Sequence, residues 1–229
     1  MRPPPALVSA AGAGLLAATF YPLGVEWALA AWGVRAVACA LLAPGALSLW
    51  LWQRFGRARG APLLPHLLLL ALPAAAAASG SLFFLRGVPA AIQLLIAAFF
   101  ALSLRGGSSV LERAAKTIHP YAPDFIGPYC RKATGVFAAI FAAQGLGLAV
   151  LAWAPPADWA LASGVLAWAP VMAATVVEWA IRKSHFRYYT EGPVDRVLRR
   201  LLPPEKTEAG RRSLAYIRAK RLELGMPPP

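Results

Sequence analysis

The sequence predicts an all-α, polytopic transmembrane helical bundle of about six spans, with amphipathic helices on a basic aqueous side. Three observations carry this prediction. Of 229 residues, 59% are hydrophobic and only 14% charged, against about 25% charged in an ordinary soluble domain. Eight tryptophans and ten phenylalanines exclude a disordered chain. Apolar runs recur at close to the 20 or so residues a helix needs to cross about 30 Å of hydrocarbon. The two cysteines build neither a disulfide framework nor a cysteine-based metal site. No metal and no cofactor is expected.

The first apolar segment, residues 6–25, is entered through Pro3, Pro4 and Pro5, residues well tolerated at a helix start. A secretory leader has a similar small-residue run, but three prolines in its basic region and five later spans favour a first helix. The other segments are 32–52, 67–85 (containing Pro73), a short one at 88–104, 135–153, and 159–181 with Pro170 near its middle. The transmembrane domain is therefore expected at 1–181, with an interfacial segment at 105–133. A basic amphipathic tail follows at 182–229.

Charge places the loops. Arg54, Arg57 and Arg59 give the 53–60 segment +3, and residues 104–133 also carry +3. The tail has 12 basic and 5 acidic residues, or +7 of the total +13. Glu26, Arg35, Arg86 and Asp158 on the other side cancel. Every strongly basic segment falls on one side only if both termini are cytoplasmic, as the positive-inside rule requires. Trp27, Trp32, Trp153 and Trp159 then flank outer turns, and Trp50, Trp52 and Trp179 inner ends.

Segments of 30 and 48 residues are too small for an independent catalytic domain, and no P-loop, GxSxG or HExxH is present. In 104–133, Ser109-Val110-Leu111-Glu112 matches a capping box, so Glu112 is expected as a cap for a short surface helix. His119 and Asp124 have the spacing of an acyltransferase His–Asp pair, in which the acid orients the base. Two intervening prolines and the missing α/β scaffold favour a rigid interfacial turn instead, with Asp124 answering Arg131 or Lys132. In the tail, Val194, Val197, Leu198, Leu201 and Leu202 form a stripe opposite Arg196, Arg199 and Arg200. Such a helix suits anionic headgroups or an acidic protein. The basic pI follows topology and does not imply nucleic acid.

Ionisable groups inside spans are costly and are functional candidates by default. Glu178 stands in the last turn of the sixth span, with Arg182 four residues on; an interfacial ion pair and a cavity-lining acid are both open. Arg35 can snorkel outward or meet Glu26. Gln93 and Gln144 read as interhelical polar contacts.

Ser109–Arg113, Pro123-Asp124, Tyr129–Thr134, Glu178-Trp179, His185–Tyr189 and Gly192–Arg196 together resemble a family of small bacterial inner-membrane proteins of unknown biochemical role. Genes of that family stand beside fatty-acid-synthase-like enzymes, acyltransferases and acyl-activating enzymes of aryl polyene and related lipid pathways. The resemblance implies an accessory membrane component and no particular reaction. The expected role is recruitment of acyl-carrying machinery, such as an acidic carrier protein, or of product lipid. Arg131, Lys132, Arg187, Arg196, Arg199 and Arg200 are the residues expected to do it. A small lipid transporter using Glu178 and an integral acyltransferase using His119 are the alternatives.

Overall fold

The computed structural model describes residues 5–56, 63–118, 122–187, 189, 192–223 and 225; every regular element among them is helical. Helix α1 covers Pro5–Leu51, but Gly33 interrupts it with backbone at φ 77°, ψ 169°, a region essentially reserved for glycine. The two arms fold back on each other there. Ala28 and Leu29 pack against the cluster of Val37, Ala38, Ala76 and Leu85, and Tyr21 and Leu41 line one cavity of about 280 Å³. In a straight helix those last two residues would stand about 30 Å apart. The turn between the first two apolar segments therefore centres on Gly33, where the sequence alone suggests residues 26–31.

Helix α2 (Leu64–Ser79) returns along the second arm, with Ala76 on Val37 and Ala38. Ser48 Oγ lies 2.7 Å from His66 Nδ1 across the same pair. Gly80, at φ 69°, closes α2 by donating its N–H to Ala76 O at 2.8 Å, a left-handed glycine cap. The segment expected as one span over 67–85 is thus divided into α2 and a short α3 (Leu82–Arg86). Pro73 stays inside α2.

Helices α4 (Val88–Ser103) and α6 (Gly127–Leu151) pack antiparallel, Ala90 beside Leu148 and Ala97 between Phe137 and Phe141. Between them lies α5 (Val110–Ile118), where Ser109 Oγ accepts the N–H of Glu112 at 3.3 Å. Helix α6 begins eight residues before the apolar segment at 135–153, because Pro128 fits its first turn. Closest approach falls at Gly145: an added Cβ would sit 2.7 Å from Leu94 Cγ and 3.1 Å from Leu94 N. Small residues allow such approach where lipid removes the hydrophobic drive for association. Gly145→Ala is expected to cost about 1–3 kcal/mol by overpacking, read as a lower melting temperature in detergent. Leu94→Ala should restore most of that loss.

Helix α7 (Pro156–Leu161), a π turn (Ala162–Leu166) and α8 (Ala167–Phe186) run on without a break. Pro170 lacks an N–H and its ring crowds the carbonyl of Leu166, and the π turn directly before it absorbs the misfit. Among the described residues, three stretches are long and apolar enough to cross a membrane: Tyr21–Arg54, Asp124–Leu151 and Pro156–Phe186. At 16 residues each, α2 and α4 rise only about 24 Å. Phe99, Leu102, Leu146, Val150, Met172 and Val176 are all exposed on the bundle, an apolar surface of the kind that meets a membrane or another protein. Helices α9 (Pro193–Leu201) and α10 (Glu208–Glu223) are the last two among the described residues.

Candidate functional site

At one end of the bundle the chain closes a network absent from the sequence expectation. Arg86, 5% exposed, reaches Glu26 Oε1 through Nε at 3.0 Å and Nη2 at 2.9 Å. Its Nη1 donates to Ala154 O at 2.9 Å. Trp159 is fully buried beneath the guanidinium, with its Nε1 donating to Arg86 O at 3.1 Å. Trp159 is therefore a core residue and not part of an interfacial belt. Arg35, expected as one possible partner of Glu26, lies over Gly80 instead.

The opposite end carries the candidate site. Pro123 and the 3-10 turn Asp124–Ile126 lead into α6, while α8 ends at buried Phe186 before Arg187 takes the left-handed conformation at φ 50°. Pro203 and Pro204 open the 3-10 turn Pro204–Lys206, and Thr207 Oγ1 caps α10 by accepting the N–H of Gly210 at 3.2 Å. These three chain ends enclose a cleft of about 750 Å³.

Its floor is aromatic. Phe125 stands 6.2 Å from Phe186 and 6.1 Å from Tyr216, and Tyr129 meets Phe186 edge-on at 5.3 Å. Lys132, His185, Glu208 and Arg212 form the polar rim, with Ile181 on the apolar wall. The Arg212 guanidinium lies 4.7 Å above the Phe125 ring. Among the described residues, neither Lys132 nor Arg212 has an acidic partner. Just beside the cleft, Tyr129 donates its hydroxyl to Glu178 O at 3.1 Å and to Oε1 at 3.2 Å. Arg182 Nε lies 3.1 Å from the same carboxylate.

The other expected site residues scatter. Asp124 pairs with Lys116 at 2.9 Å, and not with Arg131 or Lys132. That bond, with Glu112 at 3.1 Å, holds the Lys116 ammonium above the usual lysine range. Its intended partner His119 lies outside the described residues. Arg131 donates to the carbonyls of Gly106 and Leu104, so it ties α6 to the 104–107 turn. Arg187 donates to Pro203 O at 2.6 Å and Ser184 O at 3.3 Å. Gln144 Nε2 donates to Ala167 O across α6 and α8, while the buried amide oxygens of Gln144 and Gln93 have no partner among the described residues.

Arg196, Arg199 and Arg200 are exposed on α9. Opposite them Val194, Val197 and Leu201 are exposed as well. What fixes this helix is its flank: Asp195, 6% exposed, bonds Lys183 of α8 at 2.7 Å. Tyr189 packs alongside and donates to Leu202 O at 2.8 Å, and burial pushes its phenol up.

Sequence reasoning missed Phe125, Arg212 and the Lys183–Asp195 tether. Lys183 and Asp195 are 12 residues apart across the turn from α8 to α9, so no helical periodicity signals the pairing. Comparison with family models, curated proteins and solved structures gives no match.

Proposed function

We propose that this chain is a six-span inner-membrane accessory protein, with both termini cytoplasmic, that recruits acyl-carrying machinery or product lipid at its basic face. Support for six passes comes from the fold-back of α1 at Gly33 and the antiparallel runs of α2, α4, α6 and α8. The one-sided charge of the sequence supports the orientation.

The observation that carries the recruiting role is the mounting of α9. The buried Lys183–Asp195 pair holds it at the end of the last span. Its exposed apolar stripe suits the headgroup–acyl boundary, and Arg196, Arg199 and Arg200 face the other way, towards water. Three guanidiniums on a tethered helix match an acidic surface such as an acyl carrier protein. Because the Glu178 carboxylate already holds Arg182 and Tyr129, recruitment is favoured over a transport path through that acid.

A triple variant, Arg196→Glu, Arg199→Glu and Arg200→Glu, is expected to weaken co-purification of an acidic carrier protein by about 100-fold. Its melting temperature should stay close to wild type, because all three side chains are exposed. Undiminished carrier binding by the triple variant would remove the recruiting role.

A further inference from the structure

We infer that the cleft between α6, α8 and α10 binds a membrane lipid with a phosphodiester headgroup. This deepens the lipid half of the reading above and rests on it for the position of this face at the membrane. It does not depend on the arginines of α9.

The lining divides into two chemistries. Phe125, Phe186 and Ile181 offer an apolar bed at the ends of two stretches long enough to span a bilayer. Ile181 is half exposed, so an acyl chain lying there continues directly into surrounding hydrocarbon. Lys132 and Arg212 stand on the rim with their charge unanswered by any acid among the described residues.

Stacking on Phe125 restrains the Arg212 guanidinium and leaves its N–H edge open, an arrangement suited to two parallel bonds to phosphate oxygens. Lys132 adds a second, more mobile positive charge. Glu208 also lies on the rim, and its carboxylate limits how much negative charge the cleft accepts. A singly charged phosphodiester satisfies two cations beside one acid better than a doubly charged phosphate monoester does. Neutral glycerides lack the group that the cations recognise.

The test uses the full chain in a neutral detergent, titrated with phosphatidylglycerol, with diacylglycerol of the same chains, and with inorganic phosphate. Native mass spectrometry counts bound molecules. Phosphatidylglycerol should bind in preference to both controls. The double variant Lys132→Ala with Arg212→Ala should weaken it about tenfold or more. The charge-keeping variant Lys132→Arg should retain most of the binding, while Arg212→Lys, which keeps the charge without the planar fork, should lose part of it; melting temperatures near wild type separate charge from folding damage.

Equal binding of diacylglycerol, equal binding of inorganic phosphate, or wild-type lipid affinity in the double alanine variant each overturns the assignment. So does a double variant that loses carrier protein while keeping lipid, since the cleft would then serve the protein partner. The triple variant of α9 should bind phosphatidylglycerol in the cleft like wild type. Failure of the carrier experiment therefore leaves the lipid result to be judged on its own.

Discussion

Arg86→Ala is expected to destabilise the bundle by about 3–5 kcal/mol, the cost of breaking a buried ion pair from one side. The magnitude follows from what the change leaves behind. Glu26, on the first arm of α1, accepts the Arg86 Nε hydrogen bond on Oε1, with Nη2 at ion-pair distance from the same oxygen. Without the guanidinium that carboxylate stays largely buried with its charge uncompensated, and Ala154 O loses a donor. Trp159 also loses the cation stacked above it. Because Arg86 joins the first arm, α3 and the turn before α7, the loss spreads across three parts of the chain. Replacing both partners with apolar residues, Glu26→Leu with Arg86→Met, should recover much of the stability, since burying two charges costs desolvation as well. Melting in detergent provides the measurement. An Arg86→Ala protein within about 0.5 kcal/mol of wild type, the range of an ordinary surface change, would show that the pair contributes little.

The same network shows where the sequence was legible and where it was not. Hydropathy located the apolar runs because helix length against bilayer thickness is a one-dimensional constraint. It also marked residues 88–104, which form α4 at Val88–Ser103. Breaks inside those runs were harder to see. Gly80 stops a helix through its left-handed backbone, and five alanines before it give no hint of the stop. Glu26 was open to pairing with Arg35, nine positions away, yet its partner is Arg86, sixty positions on. Distance along the chain does not reveal which of two cations shares a buried site.

The candidate site was partly visible for similar reasons. Lys132 belonged to the expected basic surface and does line the cleft. Arg131 and Arg187, equally basic in sequence, bond backbone carbonyls and hold the fold together. Arg212 looked like one charge among many in the tail. Its position depends on Phe125, 87 positions earlier, which sits in the turn that starts α6. Local pattern therefore identified the charged face, and tertiary packing decided which cations remain available.

Gly210→Ala should release α10 from its seat and open the cleft while leaving the rest of the helical bundle intact. An added Cβ at residue 210 would collide with the carbonyl oxygen of Pro204, and would lie 2.8 Å from Thr207 Oγ1 and 3.0 Å from the Pro204 carbonyl carbon. Two of these atoms are backbone, so rotating a side chain cannot relieve the contact. The helix must move away from the 204–206 turn, at about 1–3 kcal/mol or more. Thr207, Glu208 and Ala209 line the cleft, and Arg212 stands only two residues beyond Gly210. Movement of α10 therefore carries Arg212 off the Phe125 ring and separates the two rim cations. Hydrogen exchange should rise across residues 207–216, while α4 and α6, joined through Gly145 and Leu94, stay protected. Phosphatidylglycerol binding should fall as far as in the double alanine variant, although both Lys132 and Arg212 are still present. Wild-type exchange and wild-type lipid binding in the Gly210→Ala protein would mean that α10 does not form a wall of the site.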